Sequence, residues 1–367
     1  MPMAVTIKDI AQAAGVSRGT VDRVLNGRGK VRPQVAEKVR RLASEMNYLP
    51  NRAGRELAAI KRSLRIGFLL PGVDNGFFED ILRGAQAAER NLSDFGVSLL
   101  IRQVKGYDPE THAEALRELG AEGLSGLCVT TVDVPETRRA VEELREKGIP
   151  LIATNTDLPE TGRLSYVGCD YLQTGRTAGG LFSLLGIQEP RVLIVTGSKE
   201  IEGHNLRIQG FREVLREKGV SFHETGFLVC QDDDRLAYRL TKEHLLSLPA
   251  EETPNCIFVA GAGVGGVCRA AEEWGLSTRN PLVLPFDDIP ITREYMRKGR
   301  IPATICQEPF EQGYRSVKLL FDYLVGGLRP PEHYITRTVI KLLENLEEHH
   351  HFPEGAEERG KGTHADP

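Results

Sequence analysis

The residues best suited to specific chemistry lie near the start of the chain, on one face of a short predicted helix. Arg18, Gly19, Asp22 and Arg23 recur at helical spacing and point away from the apolar residues of the same segment. An arginine can donate two hydrogen bonds to guanine in the major groove of DNA, and a carboxylate can accept one from cytosine. These residue types in this pattern indicate the reading of nucleic-acid bases.

The surrounding sequence predicts the elements that hold this face in position. Thr6 and Asp9 fit a capping box at the start of a first helix, and Gly15 supplies a turn where a positive φ is expected. Ser17 can cap the second helix, and Pro33 suits the first position of a third. Helix, glycine turn and helix is an arrangement that DNA-binding proteins use to place the second helix in the major groove. A plain three-helix bundle with a solvated charged face is the structural alternative.

Charge is distributed unevenly along the 367 residues. Residues 1–62 contain 13 Lys and Arg against 5 Asp and Glu, a net of +8, whereas the remaining residues contain 34 against 46, a net of −12. A basic head attracts phosphate groups, and neutralising them provides most non-specific affinity for DNA. The acidic body is expected to avoid DNA.

No pattern of catalytic or metal-binding residues stands out. The cysteines form no C-x-x-C pair, and the histidines show no ligand spacing; the run at residues 349–351 lies in a polar tail. The sequence therefore predicts no enzyme activity, no metal site, no catalytic residue and no cofactor. The six cysteines, which we expect to be buried and reduced, are Cys128, Cys169, Cys230, Cys256, Cys268 and Cys306.

Hydropathy along the chain predicts a protein without a membrane partner. No apolar run approaches the roughly 20 residues needed to span a bilayer, and the N-terminus has no hydrophobic signal segment. We therefore expect a cytoplasmic location. The polar composition of residues 344–367 predicts a disordered tail.

A long ordered motif links the head to a known family. The motif reads G-V-S-x-x-T-V-x-R-V-L-N-G from Gly15 to Gly27 and continues as N-Y-x-P-N-x-x-x-x-x-L from Asn47 to Leu57. It resembles the head of the lactose-repressor (LacI) family of bacterial transcription regulators. That resemblance implies base reading by Arg18, Gly19 and Arg23, and a minor-groove wedge at Leu57. The resemblance also implies phosphate contacts by Thr6, Ser17, Thr20 and Asn26. Asp22, on the base-reading face, and Asn51, within the motif, complete the candidate DNA-binding residues.

Three positions depart from the family pattern. Asp22 stands where the family usually has Ser, and a carboxylate near phosphates is unfavourable unless it pairs with Arg18 or accepts from cytosine. Gly19 removes one of two side chains that usually set specificity. Gly54 lies in the hinge segment, where a helical glycine costs about 1 kcal/mol relative to alanine. Operator choice is therefore expected to depend mainly on two arginines, and the hinge helix is expected to melt readily.

From Leu64 the chain alternates short apolar runs with helical stretches. Helices such as 78–92 and 110–119 between the apolar runs predict parallel βαβ units, and the number of strands predicts two α/β lobes. The predicted strands cover residues 65–71, 97–103, 126–131, 149–155, 163–168, 191–197, 256–261 and 281–287.

The resemblance extends this prediction to an α/β fold class in which an N-terminal all-α helix-turn-helix domain is followed by a two-lobed, periplasmic-binding-protein-like domain with two parallel-sheet, Rossmann-like lobes. The chain of that fold crosses between the lobes three times, here near residues 160, 290 and 325, and the lobes close by a hinge motion. The expected division is 1–50, the helix-turn-helix domain; 51–63, a hinge helix and linker; 64–343, the effector-binding and dimerisation domain with lobes 64–160 plus 292–323 and 161–291 plus 324–343; and 344–367, the tail.

Ligands of open parallel sheets bind at the carboxyl ends of the strands, and the resemblance places the effector there, between the lobes. Amide, charged and aromatic groups at these ends suit a polyol such as a monosaccharide. Each also has a structural alternative, such as a turn, the core or a helix cap. The candidate effector-binding residues are Asn75, Phe77, Phe78, Thr130, Asn155, Arg207 of an R-x-x-G-F motif, Gly261, Asp287 and Gln307.

A second motif competes with the sugar prediction. Residues Gly261 to Gly266 match G-x-G-x-x-G after a predicted strand, which is typical of a dinucleotide-binding turn. The family commonly has Asn-Asp where this chain has Gly261 and Ala262. A phosphorylated sugar or a nicotinamide dinucleotide held by this loop is therefore the alternative ligand.

Together these features predict a dimeric transcription regulator, expected to be a repressor, whose affinity for a pseudo-palindromic DNA operator is controlled by a small sugar-like effector. Tetramer formation is left open. The competing classes are a cofactor-binding α/β protein with an incidental head, and a transport-type binding protein, which would need an export signal.

Overall fold

The computed structural model describes residues 5–25, 31–46, 63–72, 76–275 and 281–346. None of the helices in these ranges is long and apolar enough to cross a membrane. The helices are α1 (Ile7–Ala14), α2 (Arg18–Leu25), α3 (Pro33–Glu45), α4 (Gly76–Asn91), α5 (Pro109–Ala121), α6 (Pro135–Glu146), α7 (Tyr171–Leu184), α8 (Glu202–Glu217), α9 (Asp234–Ser247), α10 (Val264–Gly275), α11 (Pro290–Arg297) and α12 (Pro309–Gly326). The strands are β1 (Leu64–Pro71), β2 (Val97–Val104), β3 (Gly126–Val129), β4 (Leu151–Thr154), β5 (Ser165–Gly168), β6 (Arg191–Thr196), β7 (His223–Val229), β8 (Cys256–Val259), β9 (Leu282–Leu284), β10 (Thr304–Cys306), β11 (His333–Ile335) and β12 (Val339–Lys341).

Local hydrogen bonds start and end the helices of the head as the sequence predicts. The Thr6 backbone N–H and hydroxyl donate to Asp9 Oδ2 at 2.8 and 2.7 Å. Both bonds lower the pKa of Asp9, and the bond from the hydroxyl has the largest effect. Gly15 ends α1 with φ of 70°, and Ser17 Oγ accepts from the Thr20 N–H at 3.1 Å. The capping and turn predictions for these residues are confirmed.

One apolar side chain from each helix forms the centre of the head. Ile10 of α1, Val21 of α2 and Val39 of α3 are completely buried, and smaller residues pack around them in one cluster. Burial of this small core fixes which face of α2 remains outside.

The body consists of two parallel-sheet units. The first has six strands in the order β11-β5-β4-β3-β1-β2, and the second has four in the order β7-β6-β8-β9, with every pairing parallel. β10 and β12 form a separate antiparallel pair. The β-strands predicted from the eight apolar runs are all present, so the two-lobe α/β prediction is confirmed.

The chain passes between the units later than predicted. The first unit ends at Asp170 and resumes at 307–337, and the second covers 171–306 and resumes at Thr338. Three crossings are present as predicted, but each lies later than the predicted residues 160, 290 and 325. β5 pairs with β4 and β11 pairs with β5 in the first sheet, and β10 pairs with β12 in the second unit.

The predicted tail also begins too early. Leu343–Asn345 forms a short 3-10 helix, in which Leu342 N–H donates to Asn345 Oδ1 at 2.6 Å. The remainder of the predicted tail, from residue 347, lies outside the described residues.

Two pairs of helices cross at glycines so closely that their backbones touch. A Cβ on Gly84 of α4 would lie 1.9 Å from the Phe310 carbonyl oxygen, and one on Gly313 of α12 would lie 1.9 Å from that of Ile81. In the second unit, the Cβ of a residue replacing Gly175 of α7 would lie 2.1 Å from the Arg207 carbonyl oxygen. Because these neighbours are backbone atoms, no side-chain rotation can relieve the overlap.

A buried histidine in the first unit makes stability depend on pH. His112 is 1% exposed; its Nε2 donates to the Gly106 carbonyl at 3.0 Å, and its Nδ1 accepts from the Thr131 hydroxyl at 2.9 Å. Acceptance of the Thr131 hydrogen bond by Nδ1 requires the neutral ring, and burial, as the largest cause, lowers the pKa of His112 although the bond to Gly106 acts in the opposite direction.

We expect the free energy of unfolding to fall as pH is lowered through the unfolded-state pKa of histidine, about 6.5. The unfolded chain takes up the proton first, so the contribution of His112 is complete above that pH and is lost below it. Urea titrations of the full chain between pH 8 and 5 measure this. His112→Gln should have a shallower pH dependence than the wild type, and the exposed His223→Gln is the control. Equal slopes for His112→Gln and the wild type would contradict the assignment.

Candidate functional site

Helix α2 presents the predicted base-reading face on its outer side. Val21 and Val24 are buried against the head core, at 0% and 6% exposure. The candidate residues Arg18, Gly19 and Arg23 are exposed, and Asp22 is half-buried. The structure therefore places the two arginines on one accessible face of the helix that follows the glycine turn.

Arg23 is held along its own helix by local hydrogen bonds. Its Nε donates to the Gly19 carbonyl at 3.0 Å, and its Nη2 lies 3.4 Å from Thr20 Oγ1. Thr20 Oγ1 is also 2.9 Å from Ser17 Oγ. The first turn of α2 thus groups a guanidinium with two hydroxyls, a set of groups that can bind a base edge and nearby phosphates.

Four candidate residues fall outside the described residues: Asn26, Asn51 and Leu57 of the DNA-binding set, and Asn75 of the effector set. The hinge glycine Gly54 is also outside them. Their predicted roles stay predictions.

At the carboxyl end of β1, two aromatic rings meet edge to face. Phe77 is 6% exposed and Phe78 is half-buried, with ring centroids 5.2 Å apart and planes at 80°. Phe77 therefore belongs largely to the core of the first unit, whereas Phe78 keeps accessible surface that could stack on a sugar ring.

Asn155 lies at the carboxyl end of β4 in a left-handed conformation, with φ of 63°. It is 6% exposed, and its Nδ2 donates to Gln312 Oε1 at 3.3 Å. Gln312 Nε2 in turn donates to the Gln307 carbonyl at 2.9 Å. The predicted residues Asn155 and Gln307 are thus joined through an α12 side chain that the sequence did not indicate.

Two of the candidate effector-binding side chains in the first unit already form hydrogen bonds within the protein. The Thr130 hydroxyl donates to the Thr154 carbonyl at 2.9 Å, and Gln307 Oε1 accepts from the Cys169 thiol at 3.0 Å. Thr130 and Gln307 are 2% and 3% exposed. Their geometry favours a role in fixing the strand ends over direct contact with a ligand.

In the second unit, Arg207 of α8 lies at the carboxyl edge of the sheet and is 3% exposed. Its Nη1 donates to the Ala260 carbonyl at 2.9 Å. Its guanidinium carbon lies 3.8 Å from the Phe286 ring centroid and 5.0 Å from that of Tyr171. Two aromatic rings and one carbonyl therefore hold this cation in position.

The R-x-x-G-F motif has three separate structural functions. Arg207 faces the strand ends, while Gly210 allows α8 to approach α7, since a Cβ there would lie 2.3 Å from the Leu172 carbonyl oxygen. Phe211 is completely buried and stacks on Phe258 with centroids 4.3 Å apart. The glycine and the phenylalanine position the arginine.

The other predicted residues of the second unit lie at its strand ends. Asp287 follows β9 with φ of 69°, and its N–H donates to the Ile305 carbonyl at 2.9 Å. Gly261 follows β8; a Cβ there would lie 2.7 Å from both Asp232 Oδ1 and His204 Cε1. His204 and Asp232 thus occupy the space that a side chain at position 261 would need.

The glycine-rich loop does not have the geometry of a phosphate-binding turn. The Ala262 N–H donates to Asp232 Oδ1 at 2.7 Å, and the Gly266 N–H donates to Asp234 Oδ1 at 3.1 Å. A Cβ on Gly266 would lie 2.0 Å from the Asp234 carbonyl oxygen. These glycines allow α10 to pack against α9, and carboxylates already bind the amides that a phosphate would need. The geometry disfavours the dinucleotide alternative.

The cysteines do not form a reactive centre. All six are buried and free. Burial raises the pKa of Cys230 and Cys256 to about 12, and it raises those of Cys128, Cys268 and Cys306 further. Thiols that stay protonated are poor nucleophiles and poor metal ligands.

Comparison with known proteins supports the two-part organisation. Residues 6–51 match the family described as bacterial regulatory proteins, lacI family, and residues 66–328 match the periplasmic binding protein domain. The HTH-type transcriptional regulator DegA of Bacillus subtilis (strain 168) is 29% identical over 289 residues, covering 78% of this chain and 82% of DegA.

Another relative and a solved structure each align over a larger share of their own length. The ribose operon repressor of Haemophilus influenzae is 26% identical over 337 residues, covering 90% of this chain and 94% of that protein. The solved structure of an ABC transporter solute binding protein from Burkholderia graminis C4D1M, in complex with D-arabinose, has a TM-score of 0.71 at 21% identity. It aligns with 78% of this chain and 97% of its own, which supports the fold of the body.

Proposed function

We propose that this chain, a member of the lacI family of bacterial regulatory proteins with a periplasmic-binding-protein domain, represses transcription by binding an operator under the control of a small sugar-like effector. The observation that carries the DNA half is the exposed pair Arg18 and Arg23 on α2, whose opposite face is buried in the head. The net charge of +8 on residues 1–62 adds sequence-independent attraction to phosphates.

The effector half is supported by the groups at the strand ends of each unit. The first unit offers the half-buried Phe78 and the amide pair Asn155 and Gln312. The second offers Asp287 and Arg207, whose guanidinium lies over two aromatic rings. Aromatic faces combined with amide, carboxylate and guanidinium groups are suited to a sugar.

We infer that the functional form is a homodimer that binds a pseudo-palindromic operator. One head reads one half-site through a single helix, and a two-fold symmetric operator needs two heads at fixed spacing. Whether dimers pair into tetramers is a separate question of assembly.

A regulator fits this chain better than an enzyme. Relatives that align with 78% and 90% of its length are named as a transcriptional regulator and an operon repressor. The protonated buried thiols described above also make cysteine-based catalysis unfavourable.

Selection of binding sites from a random pool of DNA duplexes tests the proposed function. The full chain is incubated with the pool at two salt concentrations, and bound duplexes are sequenced. We expect enrichment of a pseudo-palindromic site, with affinity falling steeply as salt rises. Recovery of unenriched DNA at both salt concentrations would contradict the proposal.

A further inference from the structure

Four buried polar atoms that have no hydrogen-bond partner among the described residues lie at the carboxyl edge of the second sheet. They are Thr196 Oγ1 at the end of β6, and His204 Nδ1, Arg207 Nε and Arg207 Nη2 on α8. Buried polar groups almost always have partners. A concentration of unpartnered ones at the carboxyl edge of a parallel sheet indicates the binding surface for a polar ligand.

The two unpartnered nitrogens of Arg207 belong to one edge of its guanidinium. Nη1 uses the other edge to donate to the Ala260 carbonyl, and the guanidinium lies over the Tyr171 and Phe286 rings. The parallel Nε–H and Nη2–H bonds match the spacing of the two oxygens of a carboxylate. The edge is therefore oriented for a planar group with two acceptors.

Charge favours an ionised group over a pair of hydroxyls. Arg207 is 3% exposed, and its hydrogen-bond partner in the described part of the chain is a neutral carbonyl, with no carboxylate in ion-pair contact. Burying a cation without a counter-charge is costly. Hydroxyls would satisfy the N–H groups but would leave the charge uncompensated, whereas a carboxylate does both.

His204 lies one helical turn before Arg207 and faces the same space. Its ring lies beside Gly261 together with Asp232, whose Oδ1 accepts from the Ala262 N–H at 2.7 Å. Burial, as the largest cause, lowers the pKa of His204, so the ring is neutral at pH 7. It can provide one further hydrogen bond without adding charge.

We propose that the effector is a sugar acid, whose carboxylate binds side by side to Nε and Nη2 of Arg207 and whose neighbouring oxygen contacts His204. This inference rests on the proposed function, in that it names the class of sugar-like effector. It makes Arg207 and His204 the residues that select the acid over the parent sugar.

Calorimetric titration of the full chain with matched sugars tests the inference. D-galactose is compared with D-galacturonate, and D-glucose with D-glucuronate, since each pair differs by the change of a CH2OH group to a carboxylate. A charge-assisted pair of hydrogen bonds predicts that at least one acid binds about 10- to 100-fold more tightly than its parent.

The other outcomes overturn the inference in distinguishable ways. A parent sugar that binds as well as its acid would refute the acid and leave the sugar effector standing. Tighter binding of galactose 1-phosphate or glucose 6-phosphate than of the acids would show that the group is a phosphate. If no acid, sugar or sugar phosphate binds, the proposed sugar-like effector is contradicted as well.

Substitutions show which residues select the acid over the parent sugar. Arg207→Lys keeps the charge but removes the two-pronged edge, and it should reduce the preference for the acid to less than about threefold. His204→Gln should weaken binding of the acid while retaining part of the preference. Arg212→Gln removes a positive charge from the outer face of the same helix, where Arg212 pairs with Glu224 at 2.7 Å, and should leave the preference unchanged. An undiminished preference in folded Arg207→Lys would refute the assignment.

Discussion

Gly175→Ala is expected to destabilise the second unit by about 3 kcal/mol, at the upper end of the range for overpacking. The added Cβ would lie 2.1 Å from the Arg207 carbonyl oxygen and 2.6 Å from its Cα. Since these are backbone atoms of α8, the helix itself must move away from α7. That movement also displaces Arg207 from its contacts with the Tyr171 and Phe286 rings, so ligand binding should be lost together with stability.

The same helix contains its own control. Gly180 lies in α7 as well, but a Cβ there meets nothing within 4 Å. Gly180→Ala should therefore be neutral or stabilising by up to about 1 kcal/mol, because alanine favours the helix. Urea unfolding curves of the two variants make the comparison. Equal midpoints would contradict the close crossing of α7 and α8.

Arg23→Ala is expected to weaken binding of the selected operator by about 1–3 kcal/mol and to relax base preference at one position of each half-site. Arg23 is exposed and is held near the surface of α2 by its bond to the Gly19 carbonyl. Gly19 has no side chain to share the reading of bases, so the loss should not be compensated by its neighbour.

A matched variant separates base reading from general attraction to DNA. Arg41 of α3 is exposed and lies 3.7 Å from Glu45 in a weak ion pair. Arg41→Ala removes the same charge from the head but should retain discrimination between operator and random duplex. Fluorescence anisotropy with both duplexes measures the ratio. If Arg23→Ala keeps the wild-type ratio, Arg23 does not read bases.

The sequence was sufficient to predict elements that bury a continuous apolar run. The head was predicted down to its caps, because Thr6, Gly15 and Ser17 act through local hydrogen bonds and backbone conformation. β7 was not predicted, since its residues, from His223 to Val229, form a partly exposed edge strand that mixes polar and apolar side chains. The strands β10, β11 and β12 were not predicted either, because each has only three residues and they lack the longer apolar run that indicated β9.

Residues of the candidate site were predicted from the sequence only where a recognisable motif or the end of a predicted strand marked them. Arg207 was found through its motif, but Asp232 follows the strand that was missed. His204 could have been found, because it lies one helical turn before Arg207. The close approach at Gly175 could not, since sequence spacing does not reveal which helices cross.

Ligand binding in the body is expected to change the affinity of the head for the operator. Fluorescence anisotropy of the full chain on the selected operator, with and without a saturating sugar-type ligand found by calorimetry, tests it most directly. We expect a change in operator Kd of about 5- to 150-fold, and the same factor in ligand Kd when operator is added first, because coupling between two sites is reciprocal. An operator Kd that is unchanged by saturating ligand would contradict it.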